Sequence, residues 1–516
     1  MRNLLLILLL AAFTACQTQT YSPQLEKAFE RAGENQVELK KVFDHYSQLG
    51  DTAKYEAAEF LVSNIRNKHC FVSFIVADSS GATVPFEVLD YSNYTDLLNN
   101  WDSLEAVYGK LEFKRDTLIK DIEVIKAKFL INNIDMAFHA WQMPWAKQLS
   151  FEQFCEFLLP YRSTNEPLEN WRGYSLENYS WLKDSMGDSN DPVQACNYIN
   201  NEIRSWFRFD ERFYEHPTDQ SLSQIMELKL GRCEDMTNLA IMIMRAWGVP
   251  VMSDFTPYWA NTGNNHAWNA ILDKDGNTTI FMGGEANPGE YKLTNIFAKV
   301  YRKSFAPQAN SLVEIKNSWE QAPPYLNSPT IIDVTSEYTK TFTVDLTLNE
   351  NQPDSTEFAY MCVFNSGKWQ PIAWGKVAGD KKVQFENMGA GIAYLPAYYK
   401  NDKVIPAAKA IILSSEGVIS QLTPSEETVA HALNRTTKRT SGQTTDNIGE
   451  SNLNNTDAYE LFYWNSEWIS IGKQTPQSGA LSFEGLPLNA LYWLVGEKGR
   501  KEERIFTIEN DTVIWW

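Results

Sequence analysis

The sequence predicts an α+β protein in which a helical N-terminal half and a mixed core precede two small antiparallel β-sandwich modules. Apolar residues recur every three to four positions over residues 22–65, which is the spacing of helices with one buried face. After residue 331 apolar and polar residues alternate, as over 340–348, which is typical of half-buried antiparallel strands. A chain of 516 residues also exceeds what one hydrophobic core usually organises.

Residues 1–15 are predicted to be a signal peptide. Arg2 precedes the apolar stretch 4–13, which is shorter than the about 20 residues that a membrane-spanning helix needs. The sequence Phe-Thr-Ala-Cys at 13–16 resembles the lipobox of bacterial lipoproteins. This resemblance implies cleavage before Cys16, a lipid on its thiol, and a location in the bacterial cell envelope, anchored to a membrane on the periplasmic or outer-membrane side. An ordinary cleaved signal peptide is the alternative.

Helical patterns continue toward the centre of the chain. We assign residues 16–120 to a helical N-terminal region and 121–330 to a central domain. One helical pattern covers about 94–138, with a candidate interruption at 116–117. Ser150 followed by Gln153 predicts a capped helix start, and apolar spacing predicts another helix over about 192–207.

The tail contains an internal repeat. Similar short segments recur at 363–369 and 463–468, at 384–386 and 482–484, and at 392–394 and 490–492. The repeat length matches a small β-sandwich, so we assign a first module to 331–434, a Ser/Thr/Asn/Gly-rich linker to 435–457, and a second, shorter module to 458–516. Trp369 and Trp468 occupy equivalent positions in the repeat. We expect them to be core residues, and a sugar-stacking role is the minority alternative.

Charge and cysteine content restrict the partners. The chain has 46 Lys and Arg against 65 Asp and Glu, a net charge of −19, and no basic cluster, so we expect no nucleic-acid partner. The six cysteines form no Cys-x-x-Cys pair, so we expect no metal and no organic cofactor. Without Cys16 their number is odd, so at least one thiol must be free or paired between chains.

The chemically informative stretch begins at Gly231 and Cys233. An apolar run follows and ends at Gly248, so we expect Cys233 at the N-terminus of a helix that stops there. The partial positive charge and unpaired N–H groups of a helix N-terminus favour a thiolate over a thiol and can form an oxyanion hole.

A predicted β-hairpin follows this helix. Residues 264–272 alternate as a strand, Asp275-Gly276 is a strong turn signal, and 278–282 return as a second strand. With the turn centred between Asp275 and Gly276, Glu285 falls opposite His266. A polar group beside an imidazole fixes its tautomer and orientation, as a cysteine–histidine pair requires.

At these residues the sequence resembles the transglutaminase-like superfamily, whose core is papain-like. The resemblance rests on G-x-C before an apolar helix ending in G-[IV]-P, then H-A-W on a strand, then an acidic residue near a proline, over 221–291. It implies Cys233 as nucleophile and His266 as base. The family has Asp before that proline, whereas this chain has Asn287 there and Glu285 two residues earlier. Hairpin geometry favours Glu285 and motif alignment favours Asn287, so both stay candidates.

The resemblance implies attack of a thiolate on a carboxamide to form an acyl-enzyme, which water or an amine then resolves. We therefore expect an exported cysteine-dependent acyl-transfer enzyme acting on peptide or isopeptide bonds of a peptide or protein substrate, a protease or amidase in preference to a cross-linking transglutaminase. The alternative is a catalytically inactive protein that binds peptides or glycans at the cell envelope. Tyr258, Trp259 and Asn261 either line the substrate cleft or pack against the hairpin, and Trp268 is expected in the core beside the site.

Overall fold

The computed structural model describes residues 20–71, 74–115, 117–216, 218–349, 352–438, 453–497 and 503–516. The predicted signal peptide and Cys16 lie outside these ranges, as do residues 439–452 of the predicted linker. Among the described residues, every helix is too short or too polar to cross a membrane.

Helices dominate the first half of the chain and confirm the α+β class. Ser22 and Asp51 cap two of the N-terminal helices through their side chains, and Ser150 with Gln153 forms the predicted capping box. The α-helices span Pro23–Ala32, Gln36–Leu49, Thr52–Ser63, Tyr94–Tyr108, Asp121–Val124, Ala127–Trp141, Phe151–Phe157, Trp171–Asn178, Leu182–Met186, Pro192–Trp206, Leu222–Leu228, Cys233–Ala246 and Leu312–Ile315.

The N-terminal region contains strands where we expected only helix. The helix Tyr94–Tyr108 ends at Gly109, whose φ of 79° is not helical. Glu112–Arg115 then pairs with Phe74–Ala77, so this part of the predicted helix is an antiparallel strand. Charged residues mark exposed surface in either structure, and they therefore did not distinguish a helix from a short outer strand. The other strands before the central domain are His69–Phe71, Thr83–Val84 and Leu118–Lys120.

The central domain is built around the helix Cys233–Ala246, in which every residue except Glu234 is buried. It packs between the helix Trp171–Asn178 and the strands Val251–Thr256 and His266–Leu272. Its buried polar residues Asp235, Asn238 and Arg245 are hydrogen-bonded to other parts of the chain, which allows the helix to lie inside the protein. The five-stranded sheet beside it has the order Thr278–Phe281, His266–Leu272, Val251–Thr256, Tyr301–Lys303 and Ile331–Asp333. A two-stranded parallel pair, Arg208–Phe209 and Leu230–Gly231, precedes the helix.

Each tail module places a two-stranded sheet beside a larger antiparallel sheet. The first module contains Thr341–Thr347, Phe358–Asn365, Lys368–Lys376, Lys382–Gly389, Ile392–Lys400, Lys403–Pro406, Ile411–Leu413 and Ile419–Gln421. The second contains Thr428–Leu433, Tyr459–Trp464, Trp468–Gln474, Leu481–Pro487, Tyr492–Gly496, Ile505–Glu509 and Thr512–Trp515.

The repeat extends to local detail. A β-bulge lies between Met361 and Cys362 in the first module and between Leu461 and Phe462 in the second. Tyr394 and Tyr492 each donate a hydrogen bond from the phenol to the carbonyl five residues earlier in the chain. Two copies of one fold therefore form the tail, as the sequence repeat predicts.

The boundary between the two modules differs from our assignment. The strand Thr428–Leu433 pairs with Leu481–Pro487, just as Thr341–Thr347 pairs with Lys382–Gly389. It is therefore the first strand of the second module, although we expected that module to begin at 458. The stretch 435–457 connects two strands of the same module rather than two modules.

The end of the central helix depends on a glycine. Gly248 has a φ of 77°, and a Cβ at this position would lie 2.3 Å from the carbonyl oxygen of Ala140. The adjacent Trp247 is buried, and its carbonyl accepts a hydrogen bond of 2.7 Å from the indole of Trp145. Neither the φ angle nor the close backbone contact tolerates a side chain.

We expect Gly248→Ala to lower the free energy of unfolding by more than about 2 kcal/mol, because it combines an unfavourable φ with a backbone collision. Gly276→Ala is the matched control, since its φ is 83° and no atom lies within 4 Å of its Cβ position. Denaturant unfolding of both variants measures the difference. Equal losses in the two variants would contradict the close approach at Ala140.

Candidate active site

The start of the central helix is held by a buried polar network. Oδ2 of Asp235 accepts a hydrogen bond of 3.0 Å from the main-chain N–H of Arg232, and Oδ1 accepts one of 3.1 Å from Gln220. The guanidinium of Arg232 donates to the carbonyl of His216 at 2.6 Å and pairs with Asp219 at 2.8 Å. Cys233 follows Arg232 in the chain, so the hydrogen bonds that hold Arg232 also fix the position of Cys233.

A glycine before this helix makes room for the network. A Cβ at Gly231 would lie 2.6 Å from the Cβ of Asp235. The G-x-C pattern therefore has a steric reason: the first position lets the capping carboxylate reach the main chain beside the cysteine.

Cys233 is the first residue of the helix, as expected, and only 4% of its surface is exposed. Its sulfur lies 3.0 Å from Oε2 of Glu234, to which the thiol donates a hydrogen bond. The main-chain N–H of Ala267, the residue after His266, also hydrogen-bonds the sulfur. The predicted helix N-terminus and the predicted hairpin strand thus meet at this atom.

The electrostatics of the thiol differ from our expectation. Burial, and then the charge and hydrogen bond of Glu234, raise the pKa of Cys233 well above its ordinary value. The Ala267 N–H and Arg232 lower this pKa, but they do not offset the larger effects. In this arrangement Cys233 is a neutral thiol at pH 7, whereas we expected the helix N-terminus to favour a thiolate.

His266 begins the strand His266–Leu272 and pairs with Thr256 on the neighbouring strand. Its Nε2 lies 2.5 Å from the hydroxyl of Tyr291. Burial lowers the pKa of His266, and the negative charge of Glu234 raises it by a smaller amount. The imidazole is therefore neutral at pH 7. Within the described parts of the chain, the thiol is hydrogen-bonded to Glu234 and Ala267, and the imidazole to Tyr291.

The two candidates for the third position lie elsewhere. Asn287 is buried, accepts a hydrogen bond from Asn200 at 3.0 Å and donates one to Asn201 at 2.9 Å, so it links its loop to the helix Pro192–Trp206. Glu285 is exposed, and it contributes to a raised pKa of Tyr291 through its charge. Among the described residues, the hydroxyl of Tyr291 takes the place beside the imidazole that we expected one of these two to occupy.

The hairpin register explains why Glu285 is displaced. Leu272 pairs with Thr278, one residue earlier than we predicted. The main chains of Asp273 and Asn277 are also hydrogen-bonded, at 2.9 Å, which leaves a three-residue loop whose Gly276 has a φ of 83°. The carboxylate of Asp273 accepts the main-chain N–H groups of Asp275 and Asn277 at 2.9 and 2.8 Å and fixes this loop. The strand then ends, and Met282 pairs with Ala286 in a tight turn that carries Glu285 away.

The candidate cleft residues divide into two groups. Trp259 and Trp268 are buried and lie parallel, with ring centroids 6.4 Å apart, and Trp268 donates to the hydroxyl of Tyr338 at 3.0 Å. Asn261 accepts a hydrogen bond from the main-chain N–H of Ile296 at 2.8 Å and so joins its loop to a distant segment of the chain. Tyr258 is half-buried and packs edge-to-face on Tyr325, with centroids 5.3 Å apart. Of the four, Tyr258 is the one that lines an open groove.

Three tyrosines that no motif indicated are close enough to the thiol to respond to its charge. Burial raises the pKa of Tyr214, Tyr291 and Tyr325, and the charge that Cys233 would carry as a thiolate raises each further. The hydroxyl of Tyr325 accepts a hydrogen bond from Asn265, the residue before His266. These residues lie outside the G-x-C and H-A-W segments, so the spacing of those motifs could not identify them.

In the part of the chain that the structure describes, the other cysteines and the acidic residues form neither a disulfide nor a group that could hold a metal ion. Cys70, Cys155, Cys196 and Cys362 are buried and unpaired, as is Cys233. Among the described residues, no group of three or more His, Cys, Asp or Glu side chains is placed to hold a metal ion.

A family model described as the transglutaminase-like superfamily matches residues 180–278, which include Cys233 and His266. The chain contains a transglutaminase-like domain. The matched part of that domain ends before Glu285, Asn287 and Tyr291. The match therefore does not cover the position where this chain has Asn287 instead of the family's Asp. No curated protein matches the chain.

Solved structures similar to the chain include a candidate cysteine protease from Cytophaga hutchinsonii, with 20% identity, a TM-score of 0.19 and coverage of 25% of this chain and 42% of that one. They also include red sea bream transglutaminase, with 11% identity, a TM-score of 0.22 and coverage of 67% and 73%. The chain thus spans less than half the length of the first of these structures. At TM-scores this low, neither likeness bears on the activity of the transglutaminase-like domain.

The raised pKa of Cys233 leads to a test at Glu234. Glu234→Gln removes a negative charge beside the sulfur, so the pKa of Cys233 should fall and its alkylation by iodoacetamide should begin at a lower pH. Peptide mapping by mass spectrometry separates Cys233 from the four other described thiols. Glu285→Gln, which removes a carboxylate without contact to the sulfur, is the control and should leave the pH profile unchanged. Superimposable profiles for Glu234→Gln and wild type would contradict the contact.

Proposed function

We propose that the protein is a thiol-dependent acyl-transfer enzyme that acts on peptide or isopeptide amide bonds, with Cys233 as nucleophile and His266 as base. The observation that carries this proposal is the meeting of the helix N-terminus and the hairpin strand at one sulfur atom. The main-chain N–H of Ala267 donates a hydrogen bond to the sulfur of Cys233, and His266 precedes Ala267 on the same strand. Both proposed catalytic residues lie within the part of the chain that matches the family model.

The orientation of the imidazole supports this assignment. Because Nε2 of His266 is held by Tyr291, Nδ1 is the nitrogen left to accept the thiol proton. Tyr291 thereby acts as the positioning residue that sets the ring orientation, a role that Asp or Asn takes in other cysteine–histidine pairs.

The reaction proceeds in two steps. The thiol proton moves to Nδ1 of His266, the sulfur attacks the amide carbon, and the C–N bond breaks as the imidazolium returns its proton to the leaving amine. Water then hydrolyses the thioester and restores the thiol. In this mechanism the oxyanion is stabilised by the N–H groups that the first turn of a helix leaves without helical partners, here the turn that begins at Cys233. Resolution by an amine instead of water would make the enzyme a cross-linking transferase, and we favour hydrolysis.

A non-catalytic binding protein is the second candidate. The observation that favours it is the hydrogen bond from the Cys233 thiol to Glu234, together with the raised pKa of that thiol. Under this alternative the protein binds a peptide or glycan without cleaving it, and replacement of Cys233 leaves affinity unchanged.

Export and the lipid anchor belong to the same proposal. They rest on the sequence of residues 2–16, which lie outside the described structure. The substrate would then be a peptide or protein at the cell envelope.

Two assays with Cys233→Ala and His266→Ala test the proposal. One measures cleavage of a mixture of quenched fluorogenic peptides, and the other measures incorporation of a fluorescent primary amine into a glutamine-containing peptide. We expect Cys233→Ala to abolish the signal and His266→Ala to reduce it by about 10²- to 10⁴-fold, the usual contribution of a general base.

Cys155→Ala is the matched control, because this thiol is equally buried but belongs to the helix Phe151–Phe157, outside the site. It should retain full activity. Turnover by Cys233→Ala at the wild-type rate would refute the thiol mechanism. If amine incorporation is faster than peptide cleavage, the enzyme is a transferase and the proposed hydrolysis is wrong.

A further inference from the structure

The loop that leads into His266 is closed on itself. It connects the strand Val251–Thr256 to the strand His266–Leu272. The main-chain N–H of Trp259 donates to the carbonyl of Asn264 at 3.2 Å, and the rings of Trp259 and His266 have centroids 6.1 Å apart. Asn264 has a φ of 67°, a left-handed conformation that is uncommon for a residue with a side chain. Such a conformation persists where the surrounding structure holds it, so the contacts around this loop matter.

The inside of the loop is filled by a side chain of the first tail module. Asn365 is the last residue of the strand Phe358–Asn365 and is 1% exposed. Its amide group donates hydrogen bonds to three main-chain carbonyls of the loop, at 3.0, 2.9 and 2.9 Å. These carbonyls belong to Trp259, Thr262 and Asn264. One side chain thus joins both ends of the loop to the tail.

A side chain of the second tail module binds the same loop. Arg504 is buried, and its guanidinium donates to the carbonyls of Ala260 and Thr262, the latter at 3.5 Å. It also donates to the carbonyl of Phe364, the residue before Asn365, at 2.5 Å. Among the described residues Arg504 forms no ion pair, and burial lowers its pKa. A buried cation without an anion is unfavourable, so the carbonyls of this loop are needed to stabilise it.

The loop depends on these donors in turn. The tail supplies hydrogen bonds to the carbonyls of residues 259, 260, 262 and 264. A buried carbonyl that loses its donor is unfavourable, so the loop would rearrange if the donors were removed. Because His266 is the residue at which the loop ends, its imidazole would then change its position and its exposure to water.

We propose that the two tail modules are part of the catalytic unit, and that Asn365 and Arg504 are positioning residues that hold the loop before His266. This inference rests on the proposed function, because the position of the loop matters for the reaction only if His266 is the base. It gives the tail modules a role in the chemistry of the transglutaminase-like domain that lies before them in the chain.

Hydrogen exchange and histidine titration of the full chain test this proposal. In Asn365→Ala and in Arg504→Met, the amides of residues 257–266 should exchange at least about tenfold faster than in wild type, because the loop carbonyls lose their donors. Mass spectrometry measures this exchange. The pKa of His266, which burial lowers, should rise towards its ordinary value as water reaches the ring. NMR of labelled histidine measures the pKa, and His266→Ala assigns the signal among the six histidines.

Tyr492→Phe is the matched control. Tyr492 is buried in the second module, and its hydroxyl donates to Pro487 rather than to the loop. The control should leave the exchange of residues 257–266 and the His266 titration unchanged, even if its unfolding midpoint falls. Unchanged exchange and titration in Asn365→Ala, or equal changes in Tyr492→Phe, would overturn the inference. If Arg504→Met does not fold, Asn365→Ala decides alone, since alanine at the end of a strand keeps the main-chain pairing.

Activity provides a separate measurement. In the peptide-cleavage assay we expect Asn365→Ala to lower kcat by about 10- to 100-fold with little change in KM, because the base is misplaced while the binding surface remains. The acid side of the pH profile should move to higher pH, since His266 must be neutral to accept a proton. Faster exchange with an unchanged kcat and pH profile would overturn the inference. Exchange and titration do not require turnover, so failure of the proposed function would be recognised separately, by activity that persists in Cys233→Ala.

Discussion

The burial of the helix Cys233–Ala246 is the constraint on which the site depends. Closely packed side chains surround this helix, so it cannot shift along its axis or rotate. Its first residue, Cys233, therefore has a fixed position. Asn269 connects this helix to the hairpin, because its amide donates to the carbonyl of Thr237 at 3.2 Å and accepts the N–H of Gly283 at 3.1 Å. The sulfur of Cys233 therefore meets Ala267 as a consequence of core packing.

The same burial decides the ionisation of the thiol. A helix N-terminus contributes about 0.3–1 kcal/mol to a nearby negative charge, less than one unit of pKa, which corresponds to about 1.4 kcal/mol. Burial can shift a pKa by up to about three to five units. A thiol that is 4% exposed and lies beside Glu234 is therefore neutral despite its favourable place on the helix. In the proposed mechanism, activation requires the proton to leave when substrate enters, with His266 as its acceptor.

The sequence was most informative where a single local pattern sufficed. The helix from Cys233, the hairpin at Asp275-Gly276, the capping box at Ser150 and the tail repeat all appear in the structure, since each depends on residues close together in the chain. The predicted pairing of Glu285 with His266 was wrong, because the hairpin loop is one residue longer than we assumed. Each residue after the loop therefore faces a different partner than predicted. Tyr291 could not be anticipated, because it follows the turn after the hairpin and reaches His266 only through the tertiary fold.

The central claim is that Cys233 forms a covalent acyl intermediate, and mass spectrometry of the intact protein after brief exposure to a peptide thioester tests it most directly. The account predicts one acyl group per chain, mapped to Cys233, and no acylation of the His266→Ala variant above the level of the Cys233→Ala protein. Acylation spread over other cysteines, or none on Cys233 while the protein remains folded, would contradict the account and leave the binding role.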